Sequence, residues 1–258
     1  MNNLVESHNT PRIPDFLVVG TQKGGTTSLF ELLSMHPNIF LHSLKELQYF
    51  SLYYNKSESW YLSFFSAAAN YQLCGEVTPY YLFHPFCAER IFKLSPGMKI
   101  IILLRDPVER AISQYFHAVR HGFEDLGINE AFCAEKLRLE GASGLLLEPG
   151  AHHFSHQKHS YASRGLYKLQ IRRYQSYFPD KNIFIAKSED FYENTQLVWE
   201  NLLNFLGVDP IPLPVLLPAN AGGGEKFNVP NNIRVDLRNL FVDTVDFVSE
   251  SYGFTWGW

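Results

Sequence analysis

An α/β fold with a central parallel sheet flanked by helices is predicted for this chain of 258 residues, and three observations carry the prediction. Residues 16–19 and 98–104 are short, nearly continuous apolar runs, of the kind buried on both faces in a parallel sheet. The first run passes through a glycine-rich turn into helix-forming sequence; the second ends in Arg105-Asp106-Pro107, with proline suited to a first helical position. Strand-like and helix-like segments alternate along the chain without a repeat, so residues 1–258 are expected to form one domain.

The composition is ordinary for a globular protein: 46% hydrophobic and 15% aromatic residues suffice for a core. A net charge of −4 gives no whole-chain attraction to nucleic acid, and no nucleic-acid partner is expected. Any anion site must be built from a few placed cations and backbone donors. No run of 18 apolar residues predicts a membrane span, and residues 1–14 are polar, without the basic and apolar regions of a signal peptide; they are read as a flexible start. Cys74, Cys87 and Cys133 are odd in number and widely spaced, which suits reduced thiols and a cytoplasmic location.

The first strand leads into Gly20-Thr21-Gln22-Lys23-Gly24-Gly25-Thr26-Thr27-Ser28. A loop feeding a helix N-terminus presents unpaired backbone N–H groups beside the positive end of the helix dipole, and Thr26, Thr27 and Ser28 add hydroxyls. Such a loop binds phosphate. It nearly matches the P-loop pattern G-x-x-x-x-G-K-[ST], but Thr26 stands at the lysine position and the lysine has moved upstream to Lys23. That displacement argues against ATP hydrolysis.

Leu29, Leu32 and Leu33 form a helical stripe that His36-Pro37 terminates, and residues 38–41 read as a second strand. Glu46 lies a few residues beyond that strand's carboxyl end, where doubly wound sheets line their ligand crevice, and is expected to face whatever Lys23 holds. Residues 51–73, with Trp60, Tyr61, Phe64 and Phe65, read as helix and loop packing into the core. Residues 74–77 form a short strand ending at Pro79, with a helix expected from Pro85 to Leu94. Beyond the strand at 98–104, Ser113 falls about two helical turns after Arg105, so that guanidinium and hydroxyl can share one phosphate.

Residues 122–163 read as an irregular candidate substrate loop. His152, His153, His156 and His159 lie within it, but no carboxylate or cysteine completes a metal set, and no metal site is assigned. A helix is expected from Arg164 to Phe178, a buried strand from Asn182 to Ala186, and an amphipathic helix from Thr195 to Leu206 stopped by Gly207. Residues 209–230, with Gly222 to Gly224 before Glu225 and Lys226, read as a second candidate substrate or cofactor loop. The last helix, Asn231 to Tyr252, is expected to bury Leu237, Leu240, Phe241 and Val245, with Phe254, Trp256 and Trp258 packing back on the core.

Lys23-Gly24-Gly25-Thr26-Thr27, Lys45-Glu46, Glu76-x-Thr78-Pro79-Tyr80 and Arg105-Asp106-Pro107 through Ser113 occur in this order. Together they resemble sulfotransferases that use 3′-phosphoadenosine 5′-phosphosulfate (PAPS), most of all the heparan sulfate sulfotransferase branch, over about residues 16–206. The resemblance implies that Gly24, Gly25, Thr26 and Thr27 cradle the 5′-phosphosulfate and that Arg105 and Ser113 hold the 3′-phosphate. It implies that Lys23 meets charge on the oxygen bridging phosphorus and sulfur, and that Glu46 is the catalytic base. Sulfuryl transfer to an alcohol needs one group of each kind, and no metal is expected.

Three departures from the branch stand out: Val77 replaces a second lysine, Gln48 a frequent histidine, and no lysine-glycine-arginine motif is found near Lys226. The branch is Golgi-anchored, whereas no anchor is read here, which implies a soluble, bacterial-type enzyme. The acceptor is expected to be a hydroxyl or an amine, on a glycan by branch resemblance, with a small molecule, a lipid or a carrier-bound acyl chain left open. Two rival readings are a P-loop kinase using ATP and magnesium, and an inactive module that binds PAPS or its product 3′-phosphoadenosine 5′-phosphate (PAP).

Overall fold

The computed structural model describes residues 12–214 and 229–258. In chain order its elements are β1 (Phe16–Gly20), α1 (Thr26–Ser34), β2 (Ile39–Leu41), α2 (Glu58–Leu62), β3 (Leu73–Val77), α3 (Tyr80–Phe83), α4 (Cys87–Leu94), β4 (Lys99–Leu104) and α5 (Pro107–Arg120). They continue with α6 (Ile128–Arg138), α7 (Ala142–Leu146), α8 (Phe154–Lys158), α9 (Tyr167–Gln175), β5 (Ile183–Lys187), α10 (Ser188–Glu193), α11 (Thr195–Leu206) and α12 (Asn231–Tyr252). The strands form one sheet in the order β2-β3-β1-β4-β5, and every pairing is parallel.

The apolar runs are strands because both of their faces are covered. Leu17, Val19, Ile100, Ile102 and Leu104 point into a cluster with Tyr61, Tyr81, Ile91, Tyr167, Ile171 and Tyr174. Phe16, Val18, Ile101 and Leu103 alternate to the other side, against Leu29, Leu32 and Leu33 of α1 and Val198, Trp199 and Leu202 of α11. Each such side chain, fully buried, contributes roughly 1.5–3 kcal/mol. Gly75 permits the tight β1–β3 contact, because a Cβ there would lie 2.1 Å from the Phe16 ring.

Four expectations are corrected. Residues 122–163 are largely helical, carrying α6, α7 and α8. The pattern hid this because α6 buries only Ala131 and Glu135, so no apolar stripe marks it. Helix α4 begins at Cys87 rather than Pro85, with the short α3 before it. Helix α9 begins at Tyr167, after a 3-10 turn at Ser163–Gly165 that takes Arg164 out of the helix. Leu240 is 48% exposed, since the buried stripe of α12 runs Ile233, Leu237, Phe241, Val245 and Val248 and leaves it to one side. The expectations for residues 1–11, and for 215–228 with Gly222 to Lys226, fall outside the described residues.

Candidate functional site

The chain builds the sheet outward from β1, first through β2 and β3 on one side and then through β4 and β5 on the other. A crevice therefore opens at the carboxyl ends of β1 and β4, where the strand order reverses. The turn of residues 20–25 lies there, pinned by Thr21 N–H to the Leu103 carbonyl at 3.0 Å and by the Ser188 hydroxyl to the Gly24 carbonyl at 2.9 Å. Gly25 is the N-cap of α1 at φ +88°, a conformation that favours glycine, and a Cβ there would come within 2.7 Å of the Tyr192 hydroxyl. Among the described residues no side chain caps α1, and its first turn holds no acid. The amides of Thr26, Thr27 and Ser28 are thus available to an anion.

Cations converge on this turn. Lys23 is half-buried at φ +70°, and its ammonium pKa is pushed down by burial and then by Arg120, Arg105 and Arg110. Arg105, at the end of β4, donates from Nη1 to the Lys23 carbonyl at 3.1 Å. Arg110, buried on α5, gives Nη2 to the Tyr161 carbonyl, while its Nε and Nη1 find no partner among the described residues. Arg164 lies between the rings of Tyr80 and Phe83, each 5.1 Å from its guanidinium carbon. It bonds the Gln22 side chain and the carbonyls of His156 and Gln157, and burial, with Arg110 opposing its charge further, lowers it to about 10. Among the described residues no carboxylate pairs with Lys23, Arg105, Arg110 or Arg164. Ser113 is half-buried on α5.

Glu46 reaches the same end of the sheet. Its N–H donates to the Val77 carbonyl at 3.1 Å, at the end of β3, and its Oε2 accepts from Gln48 Nε2 at 3.2 Å. Glu46 and Gln48 both adopt positive φ, 62° and 58°, so this segment is held in a strained course that turns it along the crevice. Lys45 ties it to the first turn of α1 by donating to the Thr27 hydroxyl at 2.7 Å. The Lys45–Glu46 ion pair is loose, at 4.0 Å. No hydrogen bond or ion pair joins Glu46 to Lys23.

Sequence reasoning missed Arg110, Arg120, Arg164 and His117. A charged residue on a helix is read by default as solvent-facing, whereas α5 packs against both the Ser163–Gly165 turn and α12 and Arg110 is fully buried. His117, on the same helix, is held at about 4 by burial and then by Lys23, His121, Arg120 and Lys158, so it is neutral near physiological pH. The histidines of residues 152–159 are engaged separately. His156 Nδ1 meets the Tyr80 hydroxyl at 2.8 Å, His159 Nε2 the Phe123 carbonyl at 2.7 Å, and His153 Nδ1 accepts the His156 N–H at 3.1 Å. Among the described residues no group of three or more His, Cys, Asp or Glu is arranged to hold a metal ion. Glu76 is buried and accepts the hydroxyls of Tyr61, Thr78 and Tyr81 at 2.6–2.8 Å, bracing the end of β3.

Residues 13–213 match the family model described as the sulfotransferase domain. The chain belongs to this sulfotransferase family. The membrane-associated sulfotransferase kil1 of Dictyostelium discoideum is 28% identical over 89% of the chain and 63% of that relative. The human bifunctional heparan sulfate N-deacetylase/N-sulfotransferase 2 is 30% identical, with 77% of the chain matched to 22% of its length. The chain thus spans under two thirds of either relative. The crystal structure of a sulfotransferase from Alicyclobacillus acidocaldarius superposes with a TM-score of 0.77 at 27% identity, covering 93% of this chain and 95% of that one. This sulfotransferase domain shares the α/β fold of that structure. No helix among the described residues is long and apolar enough to cross a membrane.

Proposed function

We propose that the chain is an enzyme that moves the sulfuryl group of PAPS to an acceptor hydroxyl or amine. The observation that carries the reading is the surplus of positive charge at the crevice. Lys23, Arg105 and the first turn of α1 lie together at the end of β1 and β4, with no carboxylate paired to either cation among the described residues. That set suits a ligand with phosphate at both ends of a nucleoside, and the family supports PAPS as that ligand.

In this reading Gly24, Gly25, Thr26 and Thr27 cradle the 5′-phosphosulfate, the Gly24 N–H being kept by the Thr21 carbonyl while the amides of Thr26 and Thr27 point to the anion, and Arg105 and Ser113 hold the 3′-phosphate. The acceptor oxygen attacks sulfur in line as the bond from sulfur to the bridging oxygen breaks. Glu46 takes the acceptor proton, and PAP leaves with its new negative charge beside Lys23. The ammonium and the backbone dipoles meet that charge, so the chemistry calls for no metal. A glycan acceptor is supported by the human relative, named for heparan sulfate. A cytoplasmic location is supported by three cysteines that form no disulfide. One domain is supported by a single sheet containing every described strand.

Calorimetry of PAP, and of ATP with magnesium, against wild type, Lys23→Ala and Arg105→Ala tests the donor site. PAP is expected to bind without metal and Arg105→Ala to weaken it by ~2 kcal/mol, as loss of a charge-assisted contact should. Binding of ATP with magnesium in place of PAP would overturn the reading in favour of a kinase.

A further inference from the structure

Arg105 acts on a ligand only if the β4–α5 junction holds its backbone still, and the contacts that do so lead to an unexpected part of the chain. The Arg105 carbonyl accepts the Tyr167 hydroxyl at 2.8 Å. The next N–H, that of Asp106, donates to Glu189 Oε1 at 2.9 Å. Asp106 Oδ1 caps α5 by accepting from Val108 N at 2.8 Å and Glu109 N at 3.2 Å. Each of these two carboxylates has a second oxygen, and each is taken by a tryptophan. Trp258 Nε1 donates to Asp106 Oδ2 at 2.8 Å, and Trp256 Nε1 to Glu189 Oε2 at 3.0 Å.

The two indoles are thus bonded to the two acids that fix the residue after Arg105. Trp256 also leans on Tyr167, whose hydroxyl holds the Arg105 carbonyl, with ring centroids 6.2 Å apart. Other residues of helix α10 hold the other half of the site by contacts of their own that involve neither tryptophan. Its Glu189 carries the junction, its Ser188 bonds the Gly24 carbonyl, and its Tyr192 lies 3.5 Å from the Ser28 hydroxyl. Both acids are half-buried, with one oxygen of each already on a backbone N–H, and an N–H on a rigid ring fixes the second oxygen and so the plane of the carboxylate.

We infer that Trp256 and Trp258 are positioning residues for the 3′-phosphate end of the donor site, acting on Arg105 through Asp106 and Glu189. The inference rests on the donor reading above. It makes nucleotide affinity depend on two indole N–H groups that do not touch the nucleotide, and only for nucleotides carrying a 3′-phosphate.

The test is calorimetry of PAP and of adenosine 5′-phosphate, which lacks the 3′-phosphate, on Trp256→Phe, Trp258→Phe and the pair together. Phenylalanine keeps a ring and removes the N–H. The double variant is expected to bind PAP about tenfold more weakly, as loss of bonds to ionised groups should, while adenosine 5′-phosphate changes by less than about twofold. In an Arg105→Ala background the same substitutions should have no further effect on PAP. Asp106→Asn is the second variant: its oxygen still caps α5, but its amide cannot accept from Trp258, so it should reproduce the selective loss even if a tryptophan variant fails to fold. Equal weakening of both nucleotides, or an unchanged ratio in Asp106→Asn, would overturn the inference. Wild type binding the two nucleotides equally would overturn the donor reading itself.

Discussion

Glu124 and Arg138 answer each other's charge, whereas around Lys23 the cations have no carboxylate among the described residues. Glu124 is buried and accepts Arg138 at both oxygens, the Tyr161 hydroxyl at 2.7 Å and the amides of Asp125 and Leu126. Burial alone would raise its pKa, but Arg138, Tyr161 and Leu126 outweigh it and hold the carboxyl at about 2. Arg110 and Arg164 are just as buried, yet Arg110 keeps two N–H groups and Arg164 one without a partner among the described residues. A satisfied cluster secures the fold; an unsatisfied one of a single sign is stabilised when a ligand of the other sign arrives.

The largest effect expected is on turnover. Glu46→Gln should lower the rate of sulfuryl transfer by about 10²–10⁴-fold, the scale of a lost general base, while PAP affinity stays within about twofold. Single-turnover assays beside calorimetry separate the two quantities, and full turnover in this variant would remove Glu46 from the mechanism.

On the other side of the comparison, Glu124→Gln should cost about 2–3 kcal/mol of stability, because Arg138 Nη1 and the Tyr161 hydroxyl lose the oxygen they share and Arg138 loses its counter-charge, and should leave PAP affinity unchanged. Its folded pKa of about 2 lies below the ordinary 4.5, so Glu124 contributes stability above pH 4.5 that is lost as pH falls toward 2. Urea unfolding of wild type at a series of pH values should show that acid loss, and the variant should show less of it.

Arg110→Met sharpens the contrast. It removes two unpartnered N–H groups and one bonded one, so the ligand-free thermal midpoint should not fall, while the stabilisation produced by saturating PAP should shrink by about 1–2 kcal/mol. A variant that loses stability without ligand and keeps its response to PAP would place Arg110 with the Glu124 cluster.

The smallest effect is protonic. With Lys23 lowered in the free protein, bound phosphate should raise it again, so PAP binding takes up a fraction of a proton at alkaline pH. The sign follows: the bound form holds more protons, so affinity falls as pH rises between the two values. Calorimetry in buffers of different ionisation enthalpy would measure the uptake, and Lys23→Ala should abolish it.

Much of the fold was legible because β-strand burial and turn chemistry are local. The runs at 16–19 and 98–104 had to be covered on both faces, and the glycines after Lys23 had to turn into a helix that offers its amides. Lys23, Arg105 and Glu46 could be singled out because each follows a strand's carboxyl end. Residues 122–163 were misread because α6 buries Ala131 and Glu135, which carry no apolar signal.

The sequence by itself determined the parallel sheet, the glycine turn before α1 and the family, since the first two follow from residues adjacent in the chain and the third from short local motifs in a fixed order. Tertiary structure alone decided which cations lose their water and which acids find partners. Arg110 meets Tyr161 across 51 residues, Arg164 meets Gln22 across 142, and Trp258 meets Asp106 across 152. The balance between a cluster that holds the fold and one that waits for a ligand depends on burial, and burial is a property of what packs around a side chain rather than of its neighbours in sequence.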